Sequence, residues 1–318
     1  MKNLIEIVEN FKGKKIGVIG DLMLDHFIWG NVDRISPEAP IPIVLVTKES
    51  FMPGGAGNTA TNITALGGKV FVVGLAGKDL AGKTLLSEFK KLSINTGGIL
   101  LHNQKPTTQK IRVVARSQQV VRVDKEDSQY INSDIEKKLL EFIGSHIKKW
   151  DGLVVSDYAK GVITENLSKT IVNLAVKYKK PIICDVKPKH APFFKNATLL
   201  SPNYKEALAI AGISDNDIKK AGKIIQKQLN CSVLLTQGAE GITIFEDDKI
   251  KHFPAMAREV FDVSGAGDTV TAVVALALSA GASLEQATII ANHAAGIAVG
   301  KLGTAVVLSE ELKKDLQN

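Results

Sequence analysis

The sequence predicts an α/β fold: a mostly parallel sheet with helices on both faces, plus a small β-sheet lid. Short uncharged apolar runs, each ending on a polar residue, recur along the chain with amphipathic helical stretches between them, the pattern of a sheet buried on both faces. Two other stretches alternate with a period of two residues. A chain of 318 residues, 45% hydrophobic and 23% charged, is long enough to bury a large core without disulfide staples.

In chain order, Lys15–Gly20 reads as a short buried strand, and Gly54–Leu66 opens with glycines and continues as a helix. Val70–Gly74, Leu153–Asp157, Ile182–Asp185 and Val233–Thr236 read as further strands, with helices at Leu167–Tyr178 and Ile218–Leu229. The lid strands are expected at about 27–47 and 110–124. Alternation there puts Lys110, Arg112 and Arg116 on one face, and Ile111, Val113 and Ala115 on the other. Ser117-Gln118 would turn the chain into Val120–Val123. An apolar helix follows Thr269 and ends near Gly281. No repeat, linker or low-complexity tract is visible, so residues 1–318 are expected to form one main domain carrying the lid.

Forty Lys and Arg against 33 Asp and Glu leave a net charge of +7. That excess suits a solvated basic surface or a small anionic substrate. With only 5% aromatic residues and no block of like charges, a nucleic-acid partner is not expected. Cys184 and Cys231 make no disulfide framework and no zinc spacing. The N-terminus lacks the pattern of a signal peptide. The apolar uncharged run Thr269–Leu284 is too short to span a bilayer. A cytoplasmic protein without a membrane partner is expected.

The sharpest motif is Asp262-Val263-Ser264-Gly265-Ala266-Gly267-Asp268-Thr269. Gly265, Ala266 and Gly267 would present backbone N–H groups to an anion at a helix start. Asp268 would take a proton from a hydroxyl attacking a phosphoryl group, or would simply cap the helix. A competing motif is Gly77–Thr84, a formal P-loop match that follows a strand and precedes a helix. It would make the chain an NTPase, although Asp79 puts a carboxylate inside the phosphate loop. Gly55–Ala60 matches a dinucleotide fingerprint but follows Phe51-Met52-Pro53, which is not a central strand. Pro53–Asn58 better suits close backbone approach to a polar ligand, with the Asn58 amide in contact. Asp21 and Asp25, after the first strand, suit polyol hydroxyls or a solvated loop. Asp157, at a strand end, is a further substrate candidate. Asn203 and Glu206 would order water around Mg²⁺ or cap a helix. Thr236 and Gly238 form another strand-end turn, suited to nucleotide phosphates or to no ligand. Of the six histidines only His293, beside Asn292, falls near a candidate site, where a structural role suits it.

Together these residues resemble the ribokinase-like (PfkB) carbohydrate kinase family, from Gly20-Asp21 to Gly303-Thr304. Within it, Arg34–Pro42, Arg112–Gln119 and Ser156–Gly161 are similar to heptose 7-phosphate kinases. The resemblance implies a ribokinase-like fold, a homodimer through the β lid, and ATP and Mg²⁺ as cofactors. The implied reaction is phosphorylation of the anomeric hydroxyl of D-glycero-β-D-manno-heptose 7-phosphate. It implies Asp268 as base with Gly265–Gly267 as anion hole. Asp25, Gly54, Gly55 and Asn58 become sugar contacts. Asn203, Glu206, Thr236, Gly238 and Asn292 fall on the nucleotide and metal side. Asp262 and Ser264 match positions that hold a monovalent cation such as K⁺ in many relatives, with Ser264 where threonine is commoner. No His-x-Gly-His motif occurs, so adenylylation is expected from a separate adenylyltransferase in the same pathway. Forked guanidiniums suit a phosphate dianion. Arg112, Arg116 and Arg122 are therefore expected either to grip the 7-phosphate or to form a solvated strand face.

Overall fold

A computed structural model describes residues 4–115, 118–256, 260–301 and 305–317. The elements run α1 (Leu4–Glu9), β1 (Lys15–Gly20), β2 (Leu22–Ile35), β3 (Pro42–Gly55), α2 (Ala56–Ala65), β4 (Lys69–Gly77), α3 (Leu80–Lys91) and β5 (Asn95–His102). Then come β6 (Thr108–Ala115), β7 (Gln118–Lys125), α4 (Ser133–His146), β8 (Gly152–Ser156), α5 (Glu165–Lys177), β9 (Ile182–Asp185) and β10 (Leu199–Leu200). The chain closes with α6 (Tyr204–Ala211), α7 (Ile218–Leu229), β11 (Ser232–Thr236), β12 (Ile242–Glu246), β13 (Lys249–Phe253), α8 (Ala266–Ser279), α9 (Leu284–Val299) and α10 (Ser309–Asp315).

The main sheet has nine strands in the order β13-β12-β11-β10-β9-β8-β1-β4-β5. It is parallel from β11 to β5, and β12 and β13 are antiparallel additions at one edge. Every residue of β8 is buried, which explains its unbroken apolar run. Val154 packs with α2, α8 and α9 on one face. Leu153 and Val155 pack with α4, α5 and α7 on the other. Helices therefore cover both faces, as the alternating pattern predicts. β1 lies between β4 and β8, where strand order reverses. In such sheets ligands bind at the carboxyl ends of the strands around that point.

The lid is a four-stranded sheet, β3-β2-β6-β7. Its two hairpins are antiparallel, and the parallel pair β2–β6 joins them. The strands reach further than expected, over 22–55 and 108–125. Only Asp21 separates β1 from β2, so the central sheet feeds straight into the lid. Leu22, Met23 and Leu24 are all buried, which hides the two-residue period at the base of the hairpin. Arg112 sits opposite Arg122 across β6 and β7. Arg116 lies outside the described residues.

Candidate active site

The site begins with the way α8 starts. Gly265 has φ 80°, a left-handed conformation that glycine adopts without strain. No side chain caps α8. The first-turn N–H groups of a helix have no intrahelical acceptor, so those of Gly267 and Asp268 are available to an anion. Asp268 is 6% exposed and its carboxylate is held from three sides. Asn58 Nδ2 donates at 2.6 Å, Thr59 Oγ1 at 2.9 Å and Tyr158 OH at 3.1 Å. Burial pushes its pKa above the ordinary 3.8; these three donors pull it back, and the charge of Asp25 adds to the rise. A side chain held this way is oriented, poorly hydrated and more basic than a surface aspartate.

Asp268, Gly265 and Gly267 line a cleft of about 180 Å³ at the carboxyl ends of β8, β9 and β11. Asp157, Asp185 and Glu206 also line it, as do Lys187, Asn203 and Thr236. Asn203 and Glu206 form the capping box of α6, with Glu206 N to Asn203 Oδ1 at 3.0 Å and Asn203 N to Glu206 Oε2 at 3.1 Å. The other Glu206 oxygen pairs with Lys187 Nζ at 2.7 Å. Asp185 is driven up to about 8 by burial, then by Asp268 and Glu206, with Lys187 opposing. Carboxylates crowded enough to keep one protonated near neutral pH suit a cation arriving with phosphates. Among the described residues, no three His, Cys, Asp or Glu side chains are grouped to bind a metal directly. Asn203, Glu206 and Asp185 line the cleft and are the residues that could hold the waters of a Mg²⁺, which keeps several of them when bound.

Several expected contacts do other work. Asp21 is not a solvated loop residue. It is 1% exposed and accepts from the N–H groups of Tyr158, Lys160 and Val162 at 2.9, 3.0 and 3.0 Å, which shapes the loop that carries Tyr158. Asp157 lines the cleft, but its carboxylate accepts from Ala159 N at 2.7 Å and Lys187 N at 3.0 Å and meets His190 Nδ1 at 2.6 Å. It positions the walls and is not free for a sugar. Asn58 aims its amide at Asp268 first. Asn292 donates to the Pro254 carbonyl at 2.7 Å, so its amide orders a neighbouring turn. Gly238 opens a short 3₁₀ turn after β11. Asp262 Oδ1 accepts from Ser264 N at 2.8 Å, closing a turn just before Gly265.

Asp25 lies on β2, 5% exposed, and pairs with Arg112. A Cβ at Gly54 would collide with the Asp25 carboxylate, so that glycine makes room for the pair. Arg122 pairs with Asp124 at 2.9 Å, which Lys110 also approaches at 3.6 Å. The P-loop reading fails on geometry. Asp79 caps α3 through Gly82 N at 2.8 Å and accepts from Thr107 N at 3.0 Å and Thr107 Oγ1 at 2.7 Å. The loop's own carboxylate stands where a phosphate would sit. Tyr158, Thr59, Asp185 and Lys187 received no role from the sequence. Thr59 and Tyr158 are neighbours of assigned residues, and Asp185 ends a strand, so position was the available signal.

The pfkB family carbohydrate kinase profile matches residues 14–311. The chain belongs to this family. A curated relative from Helicobacter pylori strain J99, named "Bifunctional protein HldE", is 44% identical over 303 residues, 94% of this chain and 65% of the relative. A protein of the same name from Sulfurimonas denitrificans is 40% identical over 314 residues, 98% of this chain and 65% of the relative. The chain thus spans about 65% of the length of these relatives. Among solved structures, phosphofructokinase-2 from Escherichia coli in complex with potassium aligns with TM-score 0.79 at 21% identity, covering 96% of this chain and 98% of that one. Arabidopsis thaliana ribokinase complexed with ribose and ATP aligns with TM-score 0.74 at 19% identity, covering 96% and 99%. The fold is ribokinase-like. A pfkB carbohydrate kinase is an ATP-dependent enzyme, and the cleft at Asp268 lies at the carboxyl ends of the strands, the edge at which open α/β sheets bind ligands.

Proposed function

We propose that this kinase transfers the γ-phosphoryl group of ATP to the anomeric C1 hydroxyl of D-glycero-β-D-manno-heptose 7-phosphate, giving the 1,7-bisphosphate for ADP-heptose and lipopolysaccharide core synthesis. The observation that carries the reading is the buried Asp268 carboxylate, held by Asn58, Thr59 and Tyr158 beside the uncapped N-terminus of α8. The curated relatives named HldE support the choice of sugar. Asp268 accepts the hydroxyl proton as the oxygen attacks, and the N–H groups of the Gly265–Asp268 turn meet the charge growing on the transferred group. Mg²⁺, when bound, neutralises phosphate charge. A K⁺ beside the Asp262–Ser264 turn would strengthen the field at the same helix start.

The unit acts as one kinase domain with its lid, in the cytoplasm. Among the described residues no helix is long and apolar enough to cross a membrane. Adenylylation belongs to a separate active site. Ile35, Leu45, Val121 and Val123 are exposed on the lid, a surface suited to pairing two lids in a homodimer. Arg112 sits at the junction of lid and sugar site, where the 7-phosphate would compete with Asp25 for its guanidinium and Arg122 would assist. An ADP-release screen over sugar phosphates tests the substrate. Heptose 7-phosphate should give the highest kcat/KM, and Arg112→Ala should raise its KM about tenfold or more. Preference for another sugar would make this a sister kinase, and an unchanged KM would remove the arginine from phosphate binding.

A further inference from the structure

ATP brings several negative charges into a cleft lined by Asp157, Asp185, Glu206 and Asp268. Of the described side chains lining it, Lys187 is the one basic residue. Its position is built. The Lys187 N–H is fixed by Asp157 at 3.0 Å, just beyond the carboxyl end of β9. Its ammonium lies 5.6 Å from the Tyr158 ring centroid, and the hydroxyl of that same ring donates to Asp268. One phenol thus stands between the base and the ammonium. The α8 N-terminus borders the same cavity.

We propose that Lys187 is a catalytic residue that contacts the transferring phosphoryl group, sharing its charge with the α8 N-terminus. The inference rests on the kinase reading above but not on the identity of the sugar. Without nucleotide, Glu206 neutralises the ammonium at 2.7 Å. With nucleotide and Mg²⁺ bound, Glu206 would hold the waters of the cation, and the Lys187 ammonium would be released to the phosphoryl oxygens. The sugar oxygen forms a bond to the γ-phosphorus while the bond to the bridging oxygen breaks. ADP leaves with that electron pair, and the hydroxyl proton goes to Asp268. Lys187 keeps its proton throughout and supplies only positive charge, which an arginine would also supply. Such fixed charge acts most strongly where negative charge gathers in the transition state.

The test compares affinity for ADP with affinity for ADP plus aluminium fluoride, a mimic of the transferring group, in Mg²⁺ buffer without sugar. Lys187→Met should weaken the aluminium fluoride complex about 10²-fold and change ADP affinity by less than about threefold, while Lys187→Arg should restore most of the loss. An equal loss for both ligands, or none for either, overturns the proposal. Lys187→Met should also cost the same factor in a Glu206→Gln background; no further loss there would mean that Lys187 only braces Glu206. Because no sugar is present, the result stands whether or not heptose 7-phosphate proves to be the substrate. Absence of heptose 7-phosphate turnover in the wild type would refute only the substrate reading.

Discussion

The N-termini of α3 and α8 look alike in sequence: each follows a glycine turn, and each has an aspartate within its first positions. In α3 the aspartate folds back on its own helix, and Asp79 takes up Gly82 N, Thr107 N and Thr107 Oγ1. In α8 the aspartate turns away. Asp268 is drawn inward by Asn58, Thr59 and Tyr158, and the helix start keeps no side-chain cap. An anion site at a helix N-terminus thus depends less on its glycines than on where the nearest carboxylate is sent. A self-capped loop spends its donors on stability, whereas an uncapped one keeps them for a ligand.

Asp268→Asn should break the contrast most severely. It should lower kcat by about 10²–10⁴-fold in the ADP-release assay and leave ATP affinity nearly unchanged by calorimetry; retained turnover would remove Asp268 as the base. Tyr158→Phe should have an intermediate effect. Tyr158 is one of the donors that hold the pKa of Asp268 down against burial. A base works when ionised, so activity is present above its pKa and lost as pH falls through it. Without the tyrosine hydroxyl that pKa rises further, and the acidic limb of the kcat profile should move to higher pH, with about a tenfold loss at neutral pH. An unmoved limb would mean that the hydroxyl does not tune the base.

At α3 the expectation is reversed. Asp79→Ala should cost stability, about 0.5–2 kcal/mol as for other lost N-caps, read as a lower urea midpoint. The carboxyl of Asp79 is affected first by burial, which raises its pKa, but the bonds from Thr107 and Gly82 win and hold it below 3.8. Its contribution is therefore present above that value and lost as pH falls through the depressed pKa. Lys83→Ala, the smallest change, should leave turnover within about twofold, since Lys83 is exposed on a loop already filled by Asp79. Loss of activity there would restore the P-loop reading.

Legibility followed the same physics. Strands β1 and β9 and helix α7 fall at their expected residues, because fully buried strands and amphipathic helices write their environment into local pattern. The lid was recognised but drawn too short, because its base is buried on both faces. The Asp268 turn was readable because glycine spacing and a following apolar helix are local features. Asp157 and Asn292 were given ligand roles although their polar groups serve His190 and Pro254, residues 33 and 38 positions away in the chain. Asp185 and Lys187 were passed over because a strand-end residue carries no mark of which neighbours will face it.

The sequence by itself determined the α/β layering, the presence of a lid and the turn that begins α8, since each depends on periodicity or on backbone conformations that only certain residues accept. Tertiary structure decided which side chains surround Asp268. Thr59 and Asn58 reach Asp268 from more than 200 residues away in the chain, and Tyr158 from 110. Hydrogen bonds and charge act through space over a few ångströms, and no local pattern records which distant residues the fold will bring within that reach.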